Sequence, residues 1–565
     1  MRRPRCLAPF FPLALLLLLL AVHCAAGCFV SAPVRVERGR FDEVVGKSGP
    51  SSTAVVRELP RKGQGAMQTY TVAAAEEGKR DWVPIRIAVS TEDLTDPSKY
   101  CTSAREKRPD FKGGDAECKE EDVLTSKIKK TLLDEILPVA VKLHAERLLV
   151  QRAKTPLVVP PFKAEHGRCQ YFKVPEAHHK EGVKDADVVL YVASRSNYGT
   201  WAVPCVFGEG GRPIAGALHI VPYHALPDMH SARATAHAIA HALGFSMEQM
   251  TEHSMLVNVS DVRGRASPVT VVKSPVTLNK TKLHYGCDTL QGMELYNYEE
   301  AYLWSLRNAK DELMSPLGKT TAGYYTALTM AAFEDLGYYK AVWGMEEPMA
   351  WGNNSGCEFL TTPCSEKTPT AYPSMFCDKN DATSIHCTSN RQALGTCSFS
   401  IDKAGSDETD TCMFVFPPGG SPQYFFCAME GPDTLPGSLH GKGSWCLDTE
   451  PLTLQTENDQ IGKVSLHAVC AAVRCEGGKV KVKYIGGSDF EPCPEGGSIT
   501  PKSKHFEGGG KIKCPRYEEV CTIAADGSSL VNSNKDGHDG CAAVVVFFSL
   551  LLATVTAVVA ATVPL

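Results

Sequence analysis

Cysteine sets the tightest bound on this chain: 22 of its 565 residues are Cys. Thiols in such number suit an oxidising compartment, where they persist as disulfides, and speak against the cytosol. Setting aside Cys6, Cys24 and Cys28 near the start and Cys541 near the end leaves 18, enough for nine bridges. Five lie early, at Cys101, Cys118, Cys169, Cys205 and Cys287, and thirteen fall between Cys357 and Cys521. Both groups are odd, so full pairing needs at least one bridge between them, and Cys287 with Cys357 is the expected one. Spacing alone fixes no connectivity. The thirteen contain no CxxC pair, which argues against a zinc ribbon or finger and for a disulfide-stapled, loop-rich C-terminal region.

Both ends of the chain read as export signals. Arg2, Arg3 and Arg5 precede an apolar run from Phe10 to Val22 and then Ala25, Ala26 and Gly27. That is the order of a secretory signal peptide, and the run is shorter than the ~20 residues a membrane span needs. Residues 542–565 carry no charge and follow a polar, small-residue stretch from Asp526-Gly527-Ser528 to Asp539-Gly540. Small residues, polar spacer and hydrophobic tail together predict a GPI-anchor signal, with a C-terminal span as the alternative. Three glycosylation sequons, at Asn258, Asn279 and Asn353, suit the same route. A net charge of −5 and no run of five Lys/Arg leave no electrostatic footprint for nucleic acid.

Helix and strand signals then interleave in an α+β order. Ile85–Val89 alternates like a half-buried strand, and 187–193 and 215–221 are further strands. A long helix follows Thr125-Ser126, which Pro138 must kink or divide. Ser231–Leu243 is an alanine-rich helix stopped by Gly244.

That last helix carries His237 and His241, four apart and so on one face, within reach of a single ion. In zincins the pattern is H-E-x-x-H, two imidazoles on zinc with the Glu as general base. Here the run is His237-Ala238-Ile239-Ala240-His241, a weak signal by itself among 17 histidines.

Other stretches add to it: His241-Ala242-Leu243-Gly244-Phe245, Asp311-Glu312-Leu313-Met314-Ser315-Pro316, Ala322-Gly323-Tyr324-Tyr325, Ile87–Leu94 and Val141–Leu148. With the cysteine order they resemble the leishmanolysin family of GPI-anchored surface metalloproteases, which are metzincins. The resemblance covers nearly the whole chain. It implies a zinc cofactor held by His237 and His241, and makes Met314 the Met-turn methionine.

The same alignment exposes departures. The general-base position is Ala238, so no catalytic group is intact there, and the third-ligand position is Leu303, which cannot bind zinc. The prodomain cysteine that caps the metal in the family is missing from Arg38–Glu43. The family's adhesion-associated Ser-Arg-Tyr-Asp reads Ala225-Leu226-Pro227-Asp228. Weak or absent zinc binding is therefore expected. Nearby residues that could replace the missing ligand are Glu294, Glu299, Glu300, His253 and His284, with Glu299 four residues before Leu303.

The organisation implied is a signal peptide (1–27), a prodomain remnant (28–54), and a zincin-like N-terminal module (55–246). A central subdomain with the Met-turn (247–356), a Cys-rich, mostly β and loop domain (357–525) and the anchor signal (526–565) follow. The expected protein is a surface metalloendopeptidase homologue, impaired or inactive, that meets extracellular or host proteins as ligands or substrates. The alternative is an active enzyme with an unconventional third ligand.

Overall fold

The computed structural model describes residues 55–57, 67–72 and 82–531, the last span without 154, 196–198, 223–224, 227, 299–300, 317, 319, 365–371, 378–383, 399–411, 418–424, 431–434, 436, 454–464 and 507–508. The expected signal peptide, prodomain remnant, Arg38–Glu43 stretch, Glu299, Glu300 and apolar tail lie outside the described residues. Among the described residues no helix is long and apolar enough to cross a membrane.

Strands β1 (Val55–Arg57), β2 (Met67–Val72) and β3 (Ile87–Ser90) open a six-stranded sheet. Helices α1 (Ser126–Thr131) and α2 (Leu137–Ala145) follow, then β4 (Val188–Ser194), β5 (Trp201–Phe207), β6 (Pro213–Ile220) and α3 (Met229–Ala242). The sheet runs β1-β2-β3-β4-β6-β5, with β3, β4 and β6 mutually parallel and β5 antiparallel at the edge. Strand β3 corrects the half-buried reading of Ile85–Val89, since all four of its residues are buried. Ile87 and Val89 face a core shared with α2 and α3, while Ala88 joins a second cluster with Phe111, Val189 and Ala217. A parallel sheet covered on both faces loses the alternating pattern. Strand β5 has no counterpart in the sequence reading. It holds Pro204, which cannot donate to a ladder and is tolerated because β5 is an edge.

The helix continues through Pro138 with helical backbone on both sides, so the expected kink or division is a local change of winding and not a break. A π-helical turn at Leu132–Ile136 joins α1 to α2 immediately before the proline. Proline has no N–H for the carbonyl four residues back and its ring crowds that turn, so the ladder widens there.

After α3 come β7 (Leu256–Val259), β8 (Val269–Val272), α4 (Pro275–Tyr285), β9 (Met293–Tyr298), β10 (Ala301–Trp304) and α5 (Ala327–Asp335). Strands β7 to β10 form an antiparallel sheet in chain order. One apolar core runs without a break from Ile85 through α2, α3 and α5 to Phe414. A separate core, Trp445 to Cys521, lies under the C-terminal sheet of β11 (Ser444–Thr453), β12 (Ser465–Glu476) and β13 (Lys479–Lys483).

Nine disulfides pair all 18 cysteines. Cys287–Cys357 is the bridge between the early and late groups that parity required. Residues 526–531, at the start of the stretch expected as an anchor signal, are tied into the folded body. Gly527 and Ser529 accept hydrogen bonds from Arg233 and Arg147, and Ile523 sits in the main core.

Candidate active site

Asp228 begins α3 as its N-cap, its carboxylate accepting from Ser231 N at 2.8 Å. The residue that stands in the place of the adhesion motif's Asp thus has a local structural task. At the other end Gly244, at φ +110°, reverses the chain. Its N–H donates to His241 O and Phe245 N–H to Ala240 O, both 3.0 Å, the paired bonds of a Schellman motif. A Cβ at Gly244 would stand 2.6 Å from the Tyr338 hydroxyl, so glycine is required on two counts.

The reversal carries the Phe245 carbonyl onto His241, whose Nδ1 donates to it at 2.7 Å. His237 Nδ1 donates at 2.7 Å to the carbonyl of Leu313, in the expected Met-turn. A carbonyl can only accept, so in each neutral ring the hydrogen sits on Nδ1 and the Nε2 lone pair is bare. The two Nε2 atoms face each other 3.3 Å apart, with ring centroids at 4.9 Å. Two nitrogens on a tetrahedral zinc at about 2.0–2.1 Å would lie roughly 3.3–3.4 Å from one another. Two lone pairs at this distance repel unless a cation stands between them. A proton is a poor candidate at neutral pH: burial, aided by the neighbouring His241, pushes His237 down to about 3, and burial also lowers His241.

The turn that holds His237 is itself braced. Trp304 N donates to Met314 O, Leu313 N to Tyr324 O and Tyr324 N to Asp311 O, each at 2.8 Å. Glu312 is buried beneath it, accepting from Met314 N at 2.5 Å and Thr326 Oγ1 at 2.9 Å, and burial raises its carboxyl to about 7. Trp304 packs edge-on against Phe245 with centroids 5.1 Å apart, and Met314 is fully buried. Leu303 precedes Trp304 in β10, opposite Tyr296 of β9, and is buried. Ala238 is also buried, in the main core.

Of the possible replacement ligands, Glu294 is consumed by Arg263 at 2.9 Å, Arg265 at 3.2 Å and Asn308 at 3.1 Å. His284 is tied to Trp351 O at 2.9 Å, and His253 packs against Tyr338. The structure does not bring these three to the histidine pair. Among the described residues no group of three or more His, Cys, Asp or Glu could hold a metal ion. Among the described residues, therefore, two imidazole nitrogens suit a zinc ion and the three-ligand set of a catalytic site is not assembled.

A buried polar cluster behind α3 has no counterpart in the sequence reading. His144 Nε2 donates to the carbonyl of Ala236 at 2.8 Å, the residue before His237, and its Nδ1 lies 3.1 Å from Tyr325 Oη. Glu347 takes both Arg233, at 2.5 and 2.9 Å, and Arg147, at 3.4 Å. Arg233 also donates to Gly323 O and Gly527 O, and Arg147 to Ser529 Oγ. The signal in the sequence was charge at apolar-stripe positions, His144 and Arg147 in α2 and its end, and Arg233 in α3.

The leishmanolysin family model matches residues 38–527. Leishmanolysin of Leishmania major is 36% identical over 469 residues, 78% of this chain and 77% of its own. Leishmanolysin of Leishmania donovani is 34% identical over 509 residues, covering 85% and 82%. A leishmanolysin homolog of Crithidia fasciculata is 33% identical over 490 residues, covering 80% and 73%. With its mixed helix and strand order and its nine bridges, the chain belongs to the leishmanolysin family of metallopeptidases.

Proposed function

We propose that this chain keeps the leishmanolysin fold but has lost, or nearly lost, peptidase chemistry, and serves outside the cell as a binding, adhesion or decoy glycoprotein. The observation that carries the reading is the pairing of Ala238 and Leu303 with a histidine pair that has no third donor beside it among the described residues. Removing a positioned general base costs ~10²–10⁴ in rate. Two neutral imidazoles hold zinc more weakly than the usual three protein ligands, so the two losses compound.

Secretion, a GPI anchor near the C-terminus, and the division into an N-terminal zincin module (55–246), a Met-turn subdomain and a Cys-rich domain belong to the same proposal. The signal-peptide pattern, the charge-free tail and the disulfides support it. A second reading, an active endopeptidase, draws on the zinc-compatible Nε2 spacing and would need Glu299 or Glu300 as third ligand. Metal analysis of the purified protein after dialysis tests the choice. The first reading expects well under one zinc per chain, and one tightly held zinc per chain would favour the second.

A further inference from the structure

Residues 474–516 carry nine Lys and Arg against five Asp and Glu, in a chain whose net charge is −5. Strand geometry sets out part of that excess on one surface. β13 reads Lys479-Val480-Lys481-Val482-Lys483, and Val480 and Val482 are buried in the C-terminal core. Alternation puts the three lysines, exposed or half-exposed, on the opposite face, ~6.8 Å from one to the next. Across the ladder, Arg474 of β12 stands directly opposite Lys481, and Glu476 stands opposite Lys479. Glu476 is shared, lying 2.7 Å from Lys481 and 3.7 Å from Arg474. Glu491 of the next strand, Glu491–Pro492, pairs with Val482 and accepts from Tyr484 Oη at 2.9 Å, so its charge is spent on the core side. The face is also rigid. Gly477 and Gly478, at φ +57° and +73°, close a two-residue hairpin turn between β12 and β13. Disulfides Cys475–Cys521 and Cys493–Cys514 pin the flanking chain, and the Arg474 guanidinium sits 4.3 Å from the ring centre of Phe490.

We propose that this face of the β12–β13 hairpin docks a linear sulfated polysaccharide. Four cations stand in two adjacent rows against one carboxylate, a layout that complements a chain of repeated negative charge. Among the described residues, none of the exposed large hydrophobic side chains lies between 438 and 526. A protein partner is held by aromatic or aliphatic anchors at the centre of its footprint, and a peripheral membrane surface by apolar side chains that enter the lipid. A polysaccharide needs neither. Its sulfates stay ionised at any physiological pH and meet Lys and Arg through charge-assisted hydrogen bonds. Sulfated chains are polyanions of the extracellular space, the oxidising setting that nine disulfides suit. Glu476 sets the strength of the contact, because a sulfate must compete with it for Lys481 and Arg474. The proposal draws on the extracellular placement argued above and is independent of the loss of peptidase chemistry.

The test titrates a fluorescein-labelled heparin oligosaccharide with the purified protein at about 0.15 M salt and reads anisotropy. Binding should weaken steeply as salt is added and should be lost with desulfated heparin of the same length. Changing Lys479, Lys481 and Lys483 together to Gln should weaken it about tenfold or more. Changing the same three to Arg should keep it, which separates lost charge from a lost fold. Glu476→Gln should tighten binding about twofold or more, since it removes the competing carboxylate. Lys127→Gln, at an exposed lysine of α1, should change nothing. No binding, equal binding of desulfated heparin, unchanged binding by the triple Gln variant, lost binding by the triple Arg variant, or no tightening by Glu476→Gln would overturn the proposal. Tighter binding to phosphatidylserine vesicles than to heparin would overturn it in favour of a membrane contact. Chelator-sensitive casein cleavage by the same preparation would overturn the loss of peptidase chemistry alone and leave the docking face standing.

Discussion

The carbonyl of Leu313 accepts the Nδ1 hydrogen of His237 at 2.7 Å, so one turn of chain both packs the core and fixes the tautomer of a histidine 76 residues earlier. The neighbouring carbonyl, Met314 O, accepts from Trp304 N, which ties the strand carrying Leu303 to the same turn. Histidine orientation, turn and the expected third-ligand position are thus linked through backbone groups that do not depend on the side chain at 303.

Because that frame survives, ligand and base should be restorable in order. Leu303→His is expected to bring zinc binding by completing a three-histidine set, with little turnover. Ala238→Glu alone should lower the melting temperature, since position 238 is buried, and leave the protein nearly inactive. The double substitution should give chelator-sensitive peptidase activity well beyond the sum of the two, because ligand and base act as a unit. Zinc content and casein hydrolysis of the three variants check this, and additive or absent gains would refute it.

Glu347 is the keystone of the cluster behind α3. Replacing it with Ala leaves Arg147 and Arg233 buried without a counter-charge, a loss of ~3–5 kcal/mol for a broken buried pair. Denaturant unfolding should show a lower midpoint, corresponding to a free-energy loss of that size at unchanged m. An unchanged midpoint would mean that the two arginines find other partners or water.

Acid should destabilise the fold. Burial holds His144, His178 and His219 down to about 4 and His237 to about 3. A lowered imidazole stays neutral in the folded protein while the unfolded chain binds a proton from about pH 6.5 downward. Stability is therefore fully present above pH 6.5 and falls on acidification towards 4, by on the order of 3 kcal/mol for a fully buried group such as His144. Two carboxyls act in the opposite sense: burial raises Glu312 to about 7 and Asp93 to about 6, so their contribution improves as pH drops. Four imidazoles outweigh two carboxyls, and the unfolding midpoint measured from pH 7.5 to 4.5 should decline.

What the sequence made legible was whatever local chemistry decides. Gly244 ends α3 because only glycine suits its φ and its contact with Tyr338, and Pro138, for want of an N–H, widens the turn before it. The parity of the cysteine groups demanded a crossing bridge, and Cys287–Cys357 makes it. What stayed hidden depends on distant partners. Edge strand β5 contains a proline that reads as a strand breaker until its edge position is known. The Arg147–Glu347 pair spans 200 residues and the Arg147–Ser529 bond 382, separations at which no periodicity or motif speaks. Glu294 looked available as a ligand because nothing in its own segment names Arg263, Arg265 and Asn308 as its partners.

Casein hydrolysis by the purified protein, with and without a zinc chelator and beside the His237→Ala variant, tests the central claim most directly. The proposed loss of base and third ligand predicts no cleavage above a mock preparation and no effect of chelator or substitution. Chelator-sensitive cleavage that His237→Ala abolishes would contradict it and make Glu299 and Glu300 the first residues to substitute.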